Sequence, residues 1–181
     1  MIGHNGGPSV AEGKAWRVHC WKTARAALLP TLPIEVLRTR VKRAKDLGLE
    51  YRTYASVRAS TGHDVVAFLF SSNALRVNTL RPLLPEERAA KLAEVAAARM
   101  ALAVAMPPSL ILAANPDHLD AAHAAPHAFA RFAEVRLALR LALGPTPSDR
   151  VILIGDTGLE RDWLDPGRLA AYLPAERFFG R

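Results

Sequence analysis

The chain has 181 residues, half of them hydrophobic and 23% charged, a balance that suits one globular domain and excludes a disordered or collagen-like polymer. The net charge of +7 makes polyanions the natural partners, and a single cysteine, Cys20, excludes an internal disulfide framework and points to a reducing cytoplasm. The longest charge-free run, 100–116, is broken by Pro107 and Pro108, so no membrane span is expected.

In chain order, MIGHNGGPSVAEG (1–13) is glycine-rich and lacks the basic-then-apolar layout of a signal peptide, so a flexible tail is expected there. Residues 15–29 read as a helix carrying Trp16, Cys20 and Trp21, stopped by Pro30. Pro33 opens a second helix, at a position where its missing N–H does no harm. Ile34, Leu37, Val41, Ala44 and Gly48 fall on one face of it, Arg38, Lys42 and Lys45 on another, and Gly48 is a natural stop. Residues 53–60 make two further turns, broken at Thr61 and Gly62.

From Asp64 the pattern changes. VVAFLF (65–70) is a continuous apolar run, as expected of a strand buried on both faces, and Ser71, Ser72 and Asn73 follow it. Pro85, Glu86 and Glu87 look like a helix start, with acids at its positive end, and an alanine-rich helix runs on to about Ala98. MALAVAM (100–106) reads as a second strand and 109–126 as short helical turns cut by Pro116 and Pro126. Residues 127–143 form a helix with Phe129, Phe132, Val135, Leu139 and Leu143 along one stripe. RVILIGDT (150–157) is a third buried strand, and GRLAAYL (167–173) suggests a last short helix. Strand, helix, strand, helix, strand predicts a small Rossmann-like α/β fold with about three parallel strands. The expected organisation is a flexible tail (1–13), a basic helical region (14–62) and an α/β core (63–181).

The charge is segregated. Residues 1–85 hold 13 Lys/Arg against 5 Asp/Glu, whereas 86–181 hold 11 against 12, so the whole excess lies in the first half. Within it, residues 40–59 fit the twenty-position helix-turn-helix pattern. Ala44 is the small fifth residue, Gly48 the ninth in the turn, and Leu47, Leu49, Tyr54 and Val57 are the packing positions. AKDLG (44–48) resembles the corresponding run of Cro-class phage repressors. The resemblance implies that Tyr51, Arg52, Thr53 and Ser56 face base edges in the major groove, with Arg58 and the basic face of the first helix on phosphates. The bulk of Tyr54 and the α/β body depart from that family. Without the motif, a basic face still docks on phosphates through Arg38, Arg40, Lys42, Arg43 and Lys45.

A different reading starts from the sheet, because ligands bind beyond the carboxyl ends of open α/β strands. Those ends supply Ser71, Ser72 and Asn73 after the first strand, and Asp156 and Thr157 after the third. Cofactor signatures are absent: there is no Walker loop, no Gly-x-Gly-x-x-Gly after a strand and no Gly-x-Ser-x-Gly elbow, and no cofactor is expected. Asp156-Thr157-Gly158 matches the aspartic-protease tripeptide but lacks the second loop and the β-rich body that site needs. His118, His123 and His127 are better read as connector residues than as metal ligands, because Pro126 interrupts the helical spacing of the last two.

The sequence is thus expected to encode a cytoplasmic, nucleic-acid-associated regulatory protein, with DNA favoured over RNA and a homodimer as one arrangement of its α/β half. The alternative is a small enzyme or nucleotide-binding domain that takes an anionic ligand at the strand ends. A protein-interaction adaptor is the third possibility.

Overall fold

The structure, a computed structural model, describes residues 32–180, and the predicted helix at 15–29 lies outside them. The chain divides into two compact units, Met1–Arg38 and Thr39–Arg181. Helix α1 (Ile34–Asp46) crosses that boundary. It is followed by α2 (Tyr51–Thr61), β1 (Ala67–Ser71), α3 (Glu86–Ala93), β2 (Ala98–Ala103), α4 (Pro108–Ala114) and β3 (Ala121–Ala124). Next come α5 (Phe132–Leu143), β4 (Val151–Gly155), the single turns α6 (Gly158–Arg161) and α7 (Leu164–Gly167), β5 (Ala171–Pro174) and α8 (Ala175–Phe179).

The second unit is built on one parallel sheet in the order β3-β2-β1-β4-β5, a Rossmann-like, doubly wound arrangement. It has five strands where the sequence predicted three. The two extra strands are the short edges, AAHA and AYLP. Neither has the β-branched run that marks a buried strand, and both are partly exposed. Pairing with β2 and β4 overrides the helical propensity of their alanines. The predicted helix at 167–173 is therefore corrected to a turn leading into β5. The predicted turns at 109–126 resolve into α4 and β3. The alanine-rich helix stops at Ala93 rather than near Ala98, and β2 begins at Ala98. The helix predicted at 127–143 begins at Phe132, which leaves Phe129 outside it, and both phenylalanines are exposed.

Strand alternation sorts the core into two layers. Phe68, Phe70, Ile152 and Ile154 face one cluster, which also takes Ala44, Tyr54 and Val57 from α1 and α2, Leu47 from the turn between them, Leu92 from α3, Ile111 from α4 and Phe178 from α8. Leu69, Leu102, Val151 and Leu153 face the other, closed by Val135 and Leu139 of α5 with Trp163 and Leu169. The apolar positions Ala44, Leu47, Leu49, Tyr54 and Val57 thus belong to the first core layer, packing that stabilises by about 1.5–3 kcal/mol for each fully buried large side chain. No helix among the described residues is long and apolar enough to cross a membrane.

Candidate functional site

Winding direction reverses at β1. The chain runs outward from β1 through β2 to β3, then returns to lay β4 and β5 on the other side of β1. The carboxyl ends of β1 and β4 are therefore neighbours from which successive connections diverge, the place where an open α/β sheet leaves a crevice. The end of β1 and the loop after it carry Ser71, Ser72 and Asn73; the loop after β4 carries Asp156 and Thr157. The two groups singled out in the sequence stand side by side across 80-odd residues of chain.

Their side chains divide the work. Ser71 Oγ accepts the Ala74 N–H at 3.0 Å and so closes its own turn. Ser72 Oγ accepts the Val104 N–H at 3.0 Å, tying the β1 loop to the end of β2. Both serines are fully buried. Asn73 donates through Nδ2 to Glu160 Oε1 at 2.9 Å, while Glu160 Oε2 accepts the N–H groups of Asp156 and Thr157 at 2.6 and 3.0 Å. Thr157 Oγ1 in turn accepts the Glu160 N–H at 3.3 Å, completing a capping box on α6. One buried carboxylate thus holds the two loops in register. The one signal for Glu160 in the sequence is Thr157-Gly-Leu-Glu160, which has the spacing of a capping box.

Gly155 makes room for this clasp. A Cβ built there would stand 2.6 Å from the Tyr172 ring and 3.0 Å from Glu160 Oε2, so the end of β4 accepts only glycine without a shift. Tyr172 donates its hydroxyl to the Thr157 carbonyl at 3.3 Å. Burial, together with the charges of Glu160 and Asp156, raises its pKa above the usual phenol value. The Asp156 carboxylate is left exposed at the lip of the crevice.

Arg88, in the first turns of α3, is the second residue that sequence reasoning missed. It shares the buried side of that helix with Leu92, four residues on, and only 3% of its surface is exposed. Its guanidinium lies 4.2 Å from the centroid of the Phe179 ring, and its Nε and Nη1 are buried without a hydrogen-bond partner. Burial lowers its pKa, as does the nearby Arg76, against the opposing pull of Asp156 and Glu87. An arginine on the apolar stripe of a helix was the available signal.

The basic helical residues are placed differently. α1 and α2 flank a turn in which Gly48 has φ +65°, and Ala44, Leu47, Leu49, Tyr54 and Val57 are all buried. Arg43 spends its guanidinium internally, donating to Asp64 Oδ2 at 3.0 Å and to the carbonyls of Val65 and Ala96 at 2.9 and 3.1 Å. Arg58 lies 3.8 Å from the other oxygen of Asp64, which also accepts the Tyr54 hydroxyl at 2.8 Å. Burial disfavours the Asp64 anion, but hydrogen bonds from Tyr54 and Arg43 and the charge of Arg43 outweigh it, so its pKa lies below the usual carboxylate value. Thr53 Oγ1 accepts from Arg177 of α8 at 2.9 Å, Tyr51 packs partly into the core, and Arg38 pairs with Glu35 at 3.1 Å on the surface. Lys42, Lys45, Arg52 and Ser56 are exposed, Arg40 is half-buried, and none of the four cations has an ion pair among the described residues. Cys20 lies outside the described residues, among which no group of three or more metal-ligating side chains converges, His118, His123 and His127 included.

Comparison of the chain with protein-family models, with curated proteins and with solved structures finds no match.

Proposed function

We propose that this protein is a small-ligand-binding α/β domain whose ligand sits in the crevice between the carboxyl ends of β1 and β4. The observation that carries this reading is the Glu160 clasp. A buried carboxylate accepting three hydrogen bonds fixes two loops far apart in sequence, at the switch point of the sheet, with Asp156 at the lip. Rigid loops on a parallel sheet are the usual platform for a binding site, because the scaffold bears the cost of ordering them. The test is a thermal-shift screen of nucleotides, sugar phosphates and small carboxylic acids on the wild type and on Asn73→Trp, whose indole would fill the crevice without changing its charge. A compound that raises the wild-type midpoint and leaves the variant unmoved supports the crevice. Hits that stabilise both proteins equally would place the ligand elsewhere.

A second reading, docking on nucleic acid through α1 and α2, is favoured by the positive φ of Gly48 and the burial of Ala44 and of all four packing positions of the helix-turn-helix pattern. Under it the phosphate contacts fall to Arg40, Lys42, Lys45 and Arg52, since Arg43 and Arg58 are engaged with Asp64.

A further inference from the structure

We propose a second ligand site, separate from the strand-end crevice: a groove of about 380 Å³ near the amino ends of β4 and β5 that takes a small molecule carrying two or more phosphate groups. Its polar lining is Arg136 and Arg140 of α5, Thr146 and Ser148 of the turn that follows, and Arg168 just beyond α7. That turn leads into β4 at Val151, and the chain after Arg168 leads into β5 at Ala171. Because α5 packs on the core layer opposite α1 and α2, the groove is also separate from the basic face of those helices.

Local structure explains why the three arginines meet. Arg136 and Arg140 are one helical turn apart and share a face of α5. Gly167 lets α7 approach that helix, since a Cβ there would stand 2.7 Å from Leu139 Cδ1. The next residue, Arg168, takes φ +50° and lines the same groove.

The charge of the groove is one-sided. All three arginines are exposed, none has an ion pair among the described residues, and no carboxylate lines the groove. Arg43, Arg58, Arg99 and Arg177, by contrast, each have a carboxylate within 4.0 Å. A neighbouring groove of about 440 Å³ sets its one cation, Arg161, beside Asp162 and Asp165. Like charges one turn apart destabilise a helix slightly, and a third cation adds to the repulsion that an anion would cancel. The carboxyl end of α5 opposes an anion with about half a charge, and its Arg140 and Leu143 carbonyls already accept the Gly144 and Thr146 N–H groups. Three whole charges outweigh it. A phosphate monoester carries about −1.5 to −2 at neutral pH, so two of them balance three guanidiniums, whereas a single carboxylate does not. Arginine forks match phosphate oxygens bidentately, and the two hydroxyls add donors. A concavity of this volume suits a compact ligand, whereas a nucleic-acid backbone needs only an open basic surface.

Calorimetric titration of the full chain with inorganic tripolyphosphate tests this. The groove variant is Arg136→Gln/Arg140→Gln/Arg168→Gln; Lys42→Gln/Lys45→Gln/Arg52→Gln removes the same charge from α1 and α2, and Asn73→Trp fills the crevice. The wild type is expected to bind saturably, and the groove variant should lose about tenfold or more in affinity, as loss of charge-assisted hydrogen bonds does. Its melting midpoint without ligand should hold, because the replaced side chains are exposed. Arg168→Gln alone, which leaves α5 intact, should lose about threefold and guards against a folding defect in the triple variant. The charge-matched variant should bind like the wild type, and Asn73→Trp should keep the binding event that the groove variant loses.

Wild-type protein that does not bind tripolyphosphate would overturn the inference, as would undiminished affinity in the groove variant. An equal loss in the charge-matched variant would also overturn it, by reducing the binding to net charge. Loss in Asn73→Trp alone would assign the anion to the crevice, keeping that reading and sinking this one. Loss in the groove variant alone supports the groove whatever the crevice binds. A short DNA duplex that displaces tripolyphosphate at lower phosphate concentration would make the groove a nucleic-acid contact and sink the small-ligand assignment.

Discussion

At the scale of single residues, the crevice depends on a glycine and an acid that carry no reactive chemistry of their own. Gly155→Ala drives a methyl group into the Tyr172 ring and the Glu160 carboxylate, and a cost of about 1–3 kcal/mol is expected from such overpacking. Denaturant unfolding would measure it, and a cost near zero would show that the clasp yields easily. Asp64 makes a separate statement about pH. Its folded pKa lies below the unfolded one, so its contribution is fully present above the unfolded value, about 3.9, and is lost as pH falls through the folded value. Asp64→Asn is therefore expected to flatten the acid limb of a stability-against-pH profile below about pH 4 while lowering the plateau above it. An unchanged acid limb would mean that Arg43 and Tyr54 do not hold the anion. Arg43→Gln removes two carbonyl contacts as well as the ion pair and is expected to destabilise the fold by about 1–3 kcal/mol, read by the same unfolding measurement.

At the scale of elements, the strongly patterned segments were legible and the weakly patterned ones were not. VVAFLF and RVILIGDT announce β1 and β4 because a strand covered on both faces must be apolar at every position. AAHA and AYLP carry no such mark: they are edge strands, each paired on one side only, and alanine favours helix when nothing else decides. The site was half visible for a related reason. Polar residues at strand ends can be read from sequence, so Ser71, Ser72, Asn73, Asp156 and Thr157 were found. That Asn73 is consumed as a structural tie depends on Glu160, 87 residues away, and only the fold brings the two together. The basic helices invert the lesson, because a run of cations in sequence does not tell a strut from a free charge. Lys42→Gln/Lys45→Gln/Arg52→Gln should leave thermal stability within about 0.5 kcal/mol of wild type, as expected of exposed sites. If α1 and α2 dock on nucleic acid, the same triple variant should flatten the salt dependence of duplex binding by about three phosphate contacts. An unchanged salt slope would remove these helices from any such interface.

At the scale of the whole molecule, a basic chain with a single parallel sheet offers two surfaces of different character. One is the pair of hydrogen-bonded loops at the carboxyl ends of β1 and β4. The other is a helical face bearing lysines that have no ion pair among the described residues. Nothing requires them to exclude each other, since the α1–α2 layer and the β1–β4 crevice draw on separate residues. They differ in what sets their specificity: a crevice selects by shape and by satisfying particular N–H groups, whereas an open basic face selects mainly by charge. The central claim is that the crevice binds the ligand. The most direct measurement is amide chemical-shift mapping of the labelled protein during titration with pyrophosphate, or with the strongest hit of the thermal screen. The expected result is a saturable set of perturbations at Ser72, Asn73, Asp156 and Thr157, with the amides of α1 and α2 unmoved. Perturbations confined to residues 40–58, or to Arg136, Arg140 and Arg168, with the strand ends silent, would contradict it.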